Sequence, residues 1–318
     1  MTDNKNLLYI TVPCYNESEV LLETAKRLTL KLDSMVKNGI ISENSKILFI
    51  DDGSQDNTWE IIENLHKQNA KVIGLKLSCN CGHQNALLAG LMAAKEKADM
   101  AISIDADLQD DIEVLDKFVE KYLNGCDIVY GVRSSRKKDT AFKRATAQGF
   151  YKFMQLLGVD IIYNHADYRL MSRRALEALS NYREVNLFLR GVVRLIGFKW
   201  DTVEYERAER FAGESKYPFK KMLSFSIDGI TSFSVKPIKI IANLGILISF
   251  FSVLALIYAL LSKILGSAVS GWTAIVASIW LIGGIQLLSF GVIGTYIGKI
   301  YSEVKARPKY FIEKNLDD

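Results

Sequence analysis

Met100-Ala101-Ile102-Ser103-Ile104-Asp105-Ala106-Asp107-Leu108-Gln109-Asp110 is the stretch on which the reading turns. Met100 to Ile104 has the length and composition of a buried strand. Two carboxylates one residue apart follow it directly. On a strand or at its immediate exit, residues i and i+2 point to the same side, so Asp105 and Asp107 can face one hard cation and the phosphates it bridges. An isolated pair of this kind is also ordinary in a solvated acidic turn. Its surroundings decide between the two.

Working outward, residues 7 to 131 alternate apolar strands with amphipathic helices, the pattern of a parallel sheet flanked by helices on both faces. The expected strands are Leu7 to Val12, Ile47 to Ile50, Val72 to Leu77, Met100 to Ile104 and Ile128 to Tyr130. Asn16 with Glu19 reads as an N-cap pair for a first helix whose apolar stripe is Val20, Leu21, Ala25, Leu28 and Leu32. Asn57 with Glu60 repeats the device. Pro13-Cys14-Tyr15-Asn16-Glu17, Asp51-Asp52-Gly53-Ser54, Asn80 to Gln84, Asp105 to Asp107 and Gly131 to Arg133 all fall at the carboxyl ends of successive strands. In an open parallel sheet that edge is where loops and helix N-termini converge on a ligand.

The chain has 318 residues, enough for a soluble domain and a further element. Its net charge of +4 gives no electrostatic footprint for nucleic acid. Basic residues are dense in Arg133 to Lys138 and Arg207 to Lys221, patches suited to anionic headgroups or a phosphate-bearing lipid. The four cysteines contain no CxxC, and Cys79-x-Cys81-x-His83 lacks a second ligand pair, so they read as thiols of a reducing compartment. Met1 to Asn6 is polar and no signal peptide precedes the first strand. Toward the other end, Lys263 is the one charged residue between Ile240 and Gly298. Each half is long enough to cross a hydrocarbon core, which takes about 20 residues. The expectation is a transmembrane hairpin, 240–261 and 272–297. Lys236, Lys239, Lys299, Lys305, Arg307 and Lys309 flank its outer ends and place both termini in the cytoplasm. Asn243, Gln286 and Gly283-Gly284 suit packing between spans or between copies of the chain. Lys216 to Phe233 mixes apolar and basic residues as helices lying on a membrane surface do. The expected organisation is a cytosolic domain over 1–215, interfacial helices over 216–236, the hairpin within 237–298 and a cytosolic tail over 299–318. His66 and His165 show no partner in the sequence.

Pro13 to Glu17, Asp51 to Asp56, Gly82-His83-Gln84 and Asp105 to Asp110 resemble the motif series of family 2 glycosyltransferases with the GT-A fold. Asp167-Tyr168-Arg169-Leu170-Met171, Phe188-Leu189-Arg190-Gly191, Ala212 to Tyr217 and the C-terminal hairpin narrow the resemblance to polyprenyl-phosphate glycosyltransferases, the group that includes dolichol-phosphate mannose synthase and the bactoprenol glucosyltransferases. The likeness runs over essentially the whole chain. It departs at Asp111-Ile112, where relatives commonly carry two prolines, and at Ala166, where a glycine is common.

The resemblance implies a multi-pass enzyme of the plasma (inner) membrane with its catalytic domain in the cytoplasm. It implies inverting transfer of a hexose, glucose or N-acetylglucosamine ahead of mannose or galactose, from a UDP-sugar to polyprenyl phosphate. Mannosyl transfer from GDP-mannose is an alternative. A processive polysaccharide synthase would share the nucleotide motifs but normally carries Gln-x-x-Arg-Trp, and this chain has no Arg-Trp. A membrane scaffold would need none of the acidic and basic residues together. Carried over residue by residue, Pro13, Tyr15, Glu17, Ile50, Asp52 and Gly82 would hold the nucleoside. Asp105 and Asp107 would hold Mg2+ or Mn2+, and Gln109 would lie beside the donor sugar. Arg133, Arg136 and Lys216 would grip the acceptor phosphate, since guanidinium forks match phosphate oxygens. Asp167 is the family's usual base. A phosphate monoester, however, has a second pKa of about 6, so the nucleophile is already ionised at neutral pH and Asp167 could instead orient Arg169, the acceptor or the sugar.

Overall fold

Strand β1 (Leu8–Cys14) is buried along its whole length, which fixes it at the centre of a sheet rather than at an edge. In the computed structural model, which describes residues 5–134, 165–185, 188–208, 234–264 and 271–317, the chain divides into two compact units. One comprises Met1–Lys152, Asp160–Pro218 and Arg307–Asp318, and the other Phe153–Val159 and Phe219–Ala306.

The first unit carries an eight-stranded sheet among the described residues. Its strands are β1, β2 (Lys46–Asp51), β3 (Val72–Leu77), β4 (Met100–Ser103), β5 (Ile128–Arg133), β6 (His165–Ser172), β7 (Trp200–Tyr205) and β8 (Ile312–Asn315). They lie in the order β7-β5-β6-β4-β1-β2-β3-β8. The helices are α1 (Leu21–Lys37), α2 (Thr58–Gln68), α3 (His83–Lys97), α4 (Leu115–Leu123), α5 (Arg173–Ser180) and α6 (Leu189–Leu195). Strand alternation sorts the core. Leu8, Ile10 and Val12 join a cluster with Leu21, Leu28 and Leu32 of α1 and Phe118 of α4. On the other face Gly90 of α3 lies so close to Ile50 that an added Cβ would sit 2.5 Å from its Cδ1.

The five expected strands run parallel to one another, but the sheet as a whole is mixed, which corrects the expectation of a parallel-type sheet. β1, β2, β3 and β4 run parallel, but β6 pairs antiparallel with both β4 and β5, and β8 pairs antiparallel with β3. β6 was not visible as a strand because its sequence, His-Ala-Asp-Tyr-Arg-Leu-Met-Ser, is not an apolar run. The reversal matters for position. β4 ends, and β6 begins, at the same edge of the sheet, with Ser103 opposite Arg169. The strands β1, β2 and β5 each extend beyond the expected ends, by pairing that polar residues such as Asp51 and Arg133 sustain through their backbone.

Two helix starts also differ from expectation. Asn16 does not cap α1, which opens after Val20 with no side-chain cap. Asn16 adopts φ 53° and instead ties the first loop to the second, accepting from Gln55 N at 2.8 Å and donating its backbone N–H to Ser54 Oγ at 3.0 Å. Asn57 occupies the N-cap position of α2 without a side-chain bond, and Asp56 accepts from Thr58 N at 3.0 Å in its place.

The second unit contains α7 (Lys236–Ile264) and α8 (Trp272–Lys305). Among the described residues one stretch, Leu281–Lys305, is long and apolar enough to cross a membrane, and none of it is buried in the protein. The expected spans, 240–261 and 272–297, lie within α7 and α8. The expected surface helices over 216–236 fall almost wholly outside the described residues.

The last residues are not a free tail. After α8 the chain rejoins the first unit, where β8 covers the edge strand β3 and Leu316 N donates to Gly74 O at 2.8 Å. An unpaired β3 would present a row of open donors and acceptors. Asp317 anchors the strand with a carboxylate only 7% exposed. It accepts from Tyr9 Oη at 3.0 Å and pairs with Lys97 Nζ at 3.0 Å and with Lys46 Nζ. Burial alone would raise its pKa, but the lysine and tyrosine contacts outweigh it and hold the carboxyl below its ordinary value.

A carboxyl with a depressed folded pKa contributes stability that is complete above the unfolded value of about 4 and lost as pH falls through the folded one. Asp317→Ala is therefore expected to cost about 1–3 kcal/mol at pH 7, chiefly by stranding Tyr9 Oη, since the two lysines can regain water. The measurement is the apparent melting temperature of detergent-solubilised protein. The deficit should shrink as pH falls below 4, to the part owed to Tyr9, which a protonated Asp317 still accepts from; an equal deficit at every pH would show that the charge is immaterial.

Candidate functional site

The carboxyl edge of β1, β2, β4 and β5 gathers the polar residues, and the antiparallel β6 delivers its first residues to the same edge. On the β1–β2 side, Asp52 is 2% exposed and accepts from two backbone amides of the loop before α3, Cys81 N at 2.7 Å and Gly82 N at 3.0 Å. Burial raises its pKa and those two N–H bonds pull it back part of the way. The loops approach so closely that a Cβ on Gly53, at φ +66°, would lie 2.5 Å from the Cys79 carbonyl carbon. Pro13 is buried at the end of β1, and Tyr15 and Glu17 are half-buried just beyond it. Glu17 N donates to Thr58 Oγ1 at 3.0 Å, so the second loop fixes the first. Gly82 stands at φ +87° with open space where a Cβ would be. Ile50, expected to line the site, is fully buried with its side chain against Gly90, so it supports the edge from below.

Asp105 and Asp107 lie past the end of β4, on a turn whose backbone is held from two sides. Thr24 Oγ1 of α1 donates to Ala106 O at 2.7 Å, and Ile104 N donates to Thr11 O at 3.1 Å. Leu108 takes φ 58°, unusual for a leucine, with its side chain buried. Asp107 is 9% exposed and accepts from Gln109 N at 3.2 Å. Loss of solvent, together with the charges of Asp167 and Asp107, pushes the Asp105 carboxyl above the ordinary range against the opposing pull of His83 and Arg190. Such mutual repulsion asks for a cation. No group of three or more His, Cys, Asp or Glu side chains able to hold one occurs among the described residues. Two hard oxygen donors fit a divalent ion that completes its shell with phosphate oxygens and water.

Asp167, at the start of β6, is 13% exposed and is gripped from three directions. Arg190 of α6 donates to both its oxygens, Nε to Oδ1 at 3.1 Å and Nη2 to Oδ2 at 2.9 Å. Arg169 Nη2 lies 3.7 Å from Oδ1, and His83 Nε2 stands 3.8 Å from Oδ2 and 3.6 Å from Asp105 Oδ1. Burial by itself would raise the Asp167 pKa, but the charge and hydrogen bonds of Arg190, with His83 and Arg169, hold it far below the carboxylate range. Ser103 Oγ donates to the Asp167 carbonyl and fastens β6 to the strand that leads into Asp105.

Arg133 ends β5. Its Nε donates to Tyr205 Oη at 3.4 Å, and Tyr205 donates to Asp110 Oδ1 at 2.6 Å. Asp110 is 4% exposed and its second oxygen has no hydrogen-bond partner among the described residues. Burial, then the charge of Asp105, pushes its carboxyl up to about 6. Gln109, expected near a donor sugar, accepts from Arg207 Nη2. Arg136 and Lys216 lie outside the described residues. The structure thus brings Asp105, Asp107, Asp167 and Arg133 to one edge with Asp52 and Gly82. Sequence reasoning left out His83, Arg190 and Tyr205. The first two sat inside quoted motifs, Gly82-His83-Gln84 and Phe188-Leu189-Arg190-Gly191, and that was their only signal.

Residues 9–180 match the family described as Glycosyl transferase family 2. The chain is 56% identical over 316 residues to the uncharacterized glycosyltransferase YkoT of Bacillus subtilis (strain 168), covering 99% of this chain and 94% of that protein. It is 39% identical over 308 residues to the SfII prophage-derived bactoprenol glucosyl transferase of Shigella flexneri, covering 96% and 97%. A prophage bactoprenol glucosyl transferase homolog of Escherichia coli (strain K12) is likewise 39% identical over 307 residues, covering 96% and 98%.

The raised Asp110 carboxyl gives a pH signature. Between the unfolded value of about 4 and its own value of about 6 the native state binds the extra proton, so wild-type stability falls as pH rises through that window. Asp110→Asn, which keeps an acceptor for Tyr205, should remove about 2–3 kcal/mol of that loss. Melting temperatures of both proteins from pH 4.5 to 7.5 check it. Parallel curves would mean that Asp110 does not carry the proton.

Proposed function

The chain belongs to glycosyl transferase family 2 and is an enzyme of that class, and from this premise we propose that it transfers glucose from UDP-glucose to a polyprenyl phosphate, with inversion at the anomeric carbon. The observation that carries the reading is the meeting, at one sheet edge, of the Asp105–Asp107 pair with the guanidinium of Arg133 and the Asp167–Arg190 pair. Carboxylates on one side suit a metal-bridged diphosphate, and guanidinium groups on the other suit a phosphate nucleophile. Glucose stands ahead of N-acetylglucosamine because relatives 39% identical over nearly the whole chain are named bactoprenol glucosyl transferases.

In this reading Pro13, Tyr15, Glu17, Asp52 and Gly82 receive the uridine. Asp105 and Asp107 would hold Mg2+ or Mn2+, which when bound neutralises charge on the departing nucleoside diphosphate. Arg133, steadied through Tyr205 by Asp110, orients the acceptor phosphate, with Arg136 and Lys216 as further basic candidates for the same phosphate. An acceptor phosphate oxygen forms a bond to the anomeric carbon as the bond from that carbon to the UDP oxygen breaks. With a second pKa of about 6 the phosphate attacks as a dianion and needs no proton removed. The apolar helices α7 and α8 form a hairpin, 240–261 and 272–297, that anchors the chain in the bilayer, where the lipid phosphate resides. Its termini face the cytoplasm, and the product is a lipid-linked sugar for envelope glycans.

Membranes carrying the protein, incubated with labelled UDP-glucose and undecaprenyl phosphate, should yield a labelled lipid monophosphate. Asp107→Asn and excess chelator should each reduce it at least a hundredfold. A long polymer would point to a processive synthase, and full turnover in chelator would remove the metal from the reading.

Topology has its own check. A cysteine in place of Gly271, at the start of α8, should react with an impermeant maleimide applied to intact cells. Labelling that requires lysis would refute the hairpin.

A further inference from the structure

Asp167 and its partners are arranged unlike a group that takes up a proton. Both carboxylate oxygens are engaged by Arg190 in a two-pronged contact, at 3.1 and 2.9 Å. Beneath them Arg169 is fully buried, and its Nε, Nη1 and Nη2 have no hydrogen-bond partner among the described residues. The Tyr130 ring lies 5.9 Å from its guanidinium carbon, and Asp167 is the carboxylate recorded within 4 Å of it. A buried guanidinium cannot shed its proton, so it requires an ionised carboxylate nearby. Protonating Asp167 would strand Arg169 and break the fork to Arg190 together.

The cations around this carboxylate outnumber it. Arg169 comes from β6 and Arg190 from α6, while His83 faces it from α3 with Asp105 on its other contact. Arg190 is near enough to Arg133 that each charge disfavours the other, and its side chain remains 41% exposed. A doubly charged anion between Arg133 and Arg190 would relieve that repulsion.

Resting on the transferase reading above, we propose that Asp167 is a positioning residue rather than the proton acceptor. It holds Arg190 so that this guanidinium, together with Arg133, receives a dianionic phosphoryl group. In the transfer the new bond runs from phosphate oxygen to anomeric carbon while the bond from that carbon to the UDP oxygen breaks. No proton moves to Asp167. The phosphoryl group belongs either to the lipid acceptor or to the diphosphate of the donor, and binding distinguishes the two.

The test uses full-length protein in lipid nanodiscs, titrated separately with farnesyl phosphate and with UDP plus Mn2+. Arg190→Gln should weaken one probe by about tenfold or more, the loss expected for a charge-assisted contact, and leave the other within about twofold. The probe weakened names the source. Arg190→Lys should recover part of the loss, because an ammonium supplies charge without the fork. Asp167→Asn should weaken the same probe, and the double variant should be no weaker than Arg190→Gln alone. In turnover Asp167→Asn should raise KM for that substrate and keep the wild-type pH dependence, set by phosphate ionisation near 6 beside the fixed charges of Arg133, Arg169 and Arg190, the nearby His83, Asp105 and Asp107, and Asp110, whose own step near 6 the Asp110→Asn variant identifies. Unchanged affinity of Arg190→Gln for both probes overturns the proposal. So does an Asp167→Asn enzyme that binds both probes normally but turns over only at alkaline pH. Should Asp167→Asn fail to fold, Arg190→Gln and Arg190→Lys, at a half-exposed position, decide alone. Probe binding that depends on Arg190, in a wild type forming no lipid-linked sugar from any UDP-sugar, would overturn the reaction and support the grip.

Discussion

Crowded negative charge at the carboxyl edge of the sheet is the constraint to which the surrounding structure answers. Asp105, Asp107, Asp110 and Asp167 all reach that edge, and carboxylates so close cannot ionise independently. The fold resolves the conflict by giving each a different environment. Asp167 is surrounded by guanidinium groups and pushed far down, whereas Asp105 and Asp110 are pushed up. One carboxylate is thereby committed to permanent charge, and the pair on the β4 exit is left to answer to whatever cation approaches. His83, between Asp105 and Asp167, stands at the border of these two electrostatic regimes.

The scaffold makes that division rigid. Thr24 of α1 fixes the turn carrying the acidic pair from one side, and Ser103 fastens the start of β6 from the other. Neither contact reaches into the site itself. Both are buried, so a change in one would move a charged group by a fraction of an ångström in a setting where Coulomb energy varies steeply with distance. The Asn16, Ser54 and Gln55 contacts do the same for the loops beside Asp52. The edge is therefore held as a set of fixed charges rather than as flexible side chains waiting for a ligand.

Much of this was legible in the chain before folding. Continuous apolar runs such as Leu8 to Val12 and Met100 to Ser103 declare buried strands, and the acidic pair declares its place after one of them. What stayed hidden follows a single rule: periodicity reports apolar burial and is blind to buried charge. β6 holds a fully buried arginine and so does not read as a strand at all. Its direction, which brings Asp167 to the site, could not be inferred either. The Asp167–Arg190 fork joins residues 23 apart, and no local pattern encodes such a meeting. Asn16 misled for a related reason, since its side chain serves a second loop instead of the helix that follows it. The closing strand Ile-Glu-Lys-Asn is polar because it lies at an exposed edge.

That closing strand has a consequence for how the molecule is made. The edge of β3 emerges well before β8 and Asp317, which follow it in the chain with both long apolar helices intervening. At ordinary elongation rates the catalytic sheet waits on the order of ten seconds or more with its border open. Until β8 pairs, the border is a template for pairing with another chain, and the interval coincides with delivery of the apolar helices. Loss of β8 would therefore leave Asp105, Asp107, Arg133 and Asp167 in the chain but the sheet unsealed, a form recognisable by quality control as unfinished.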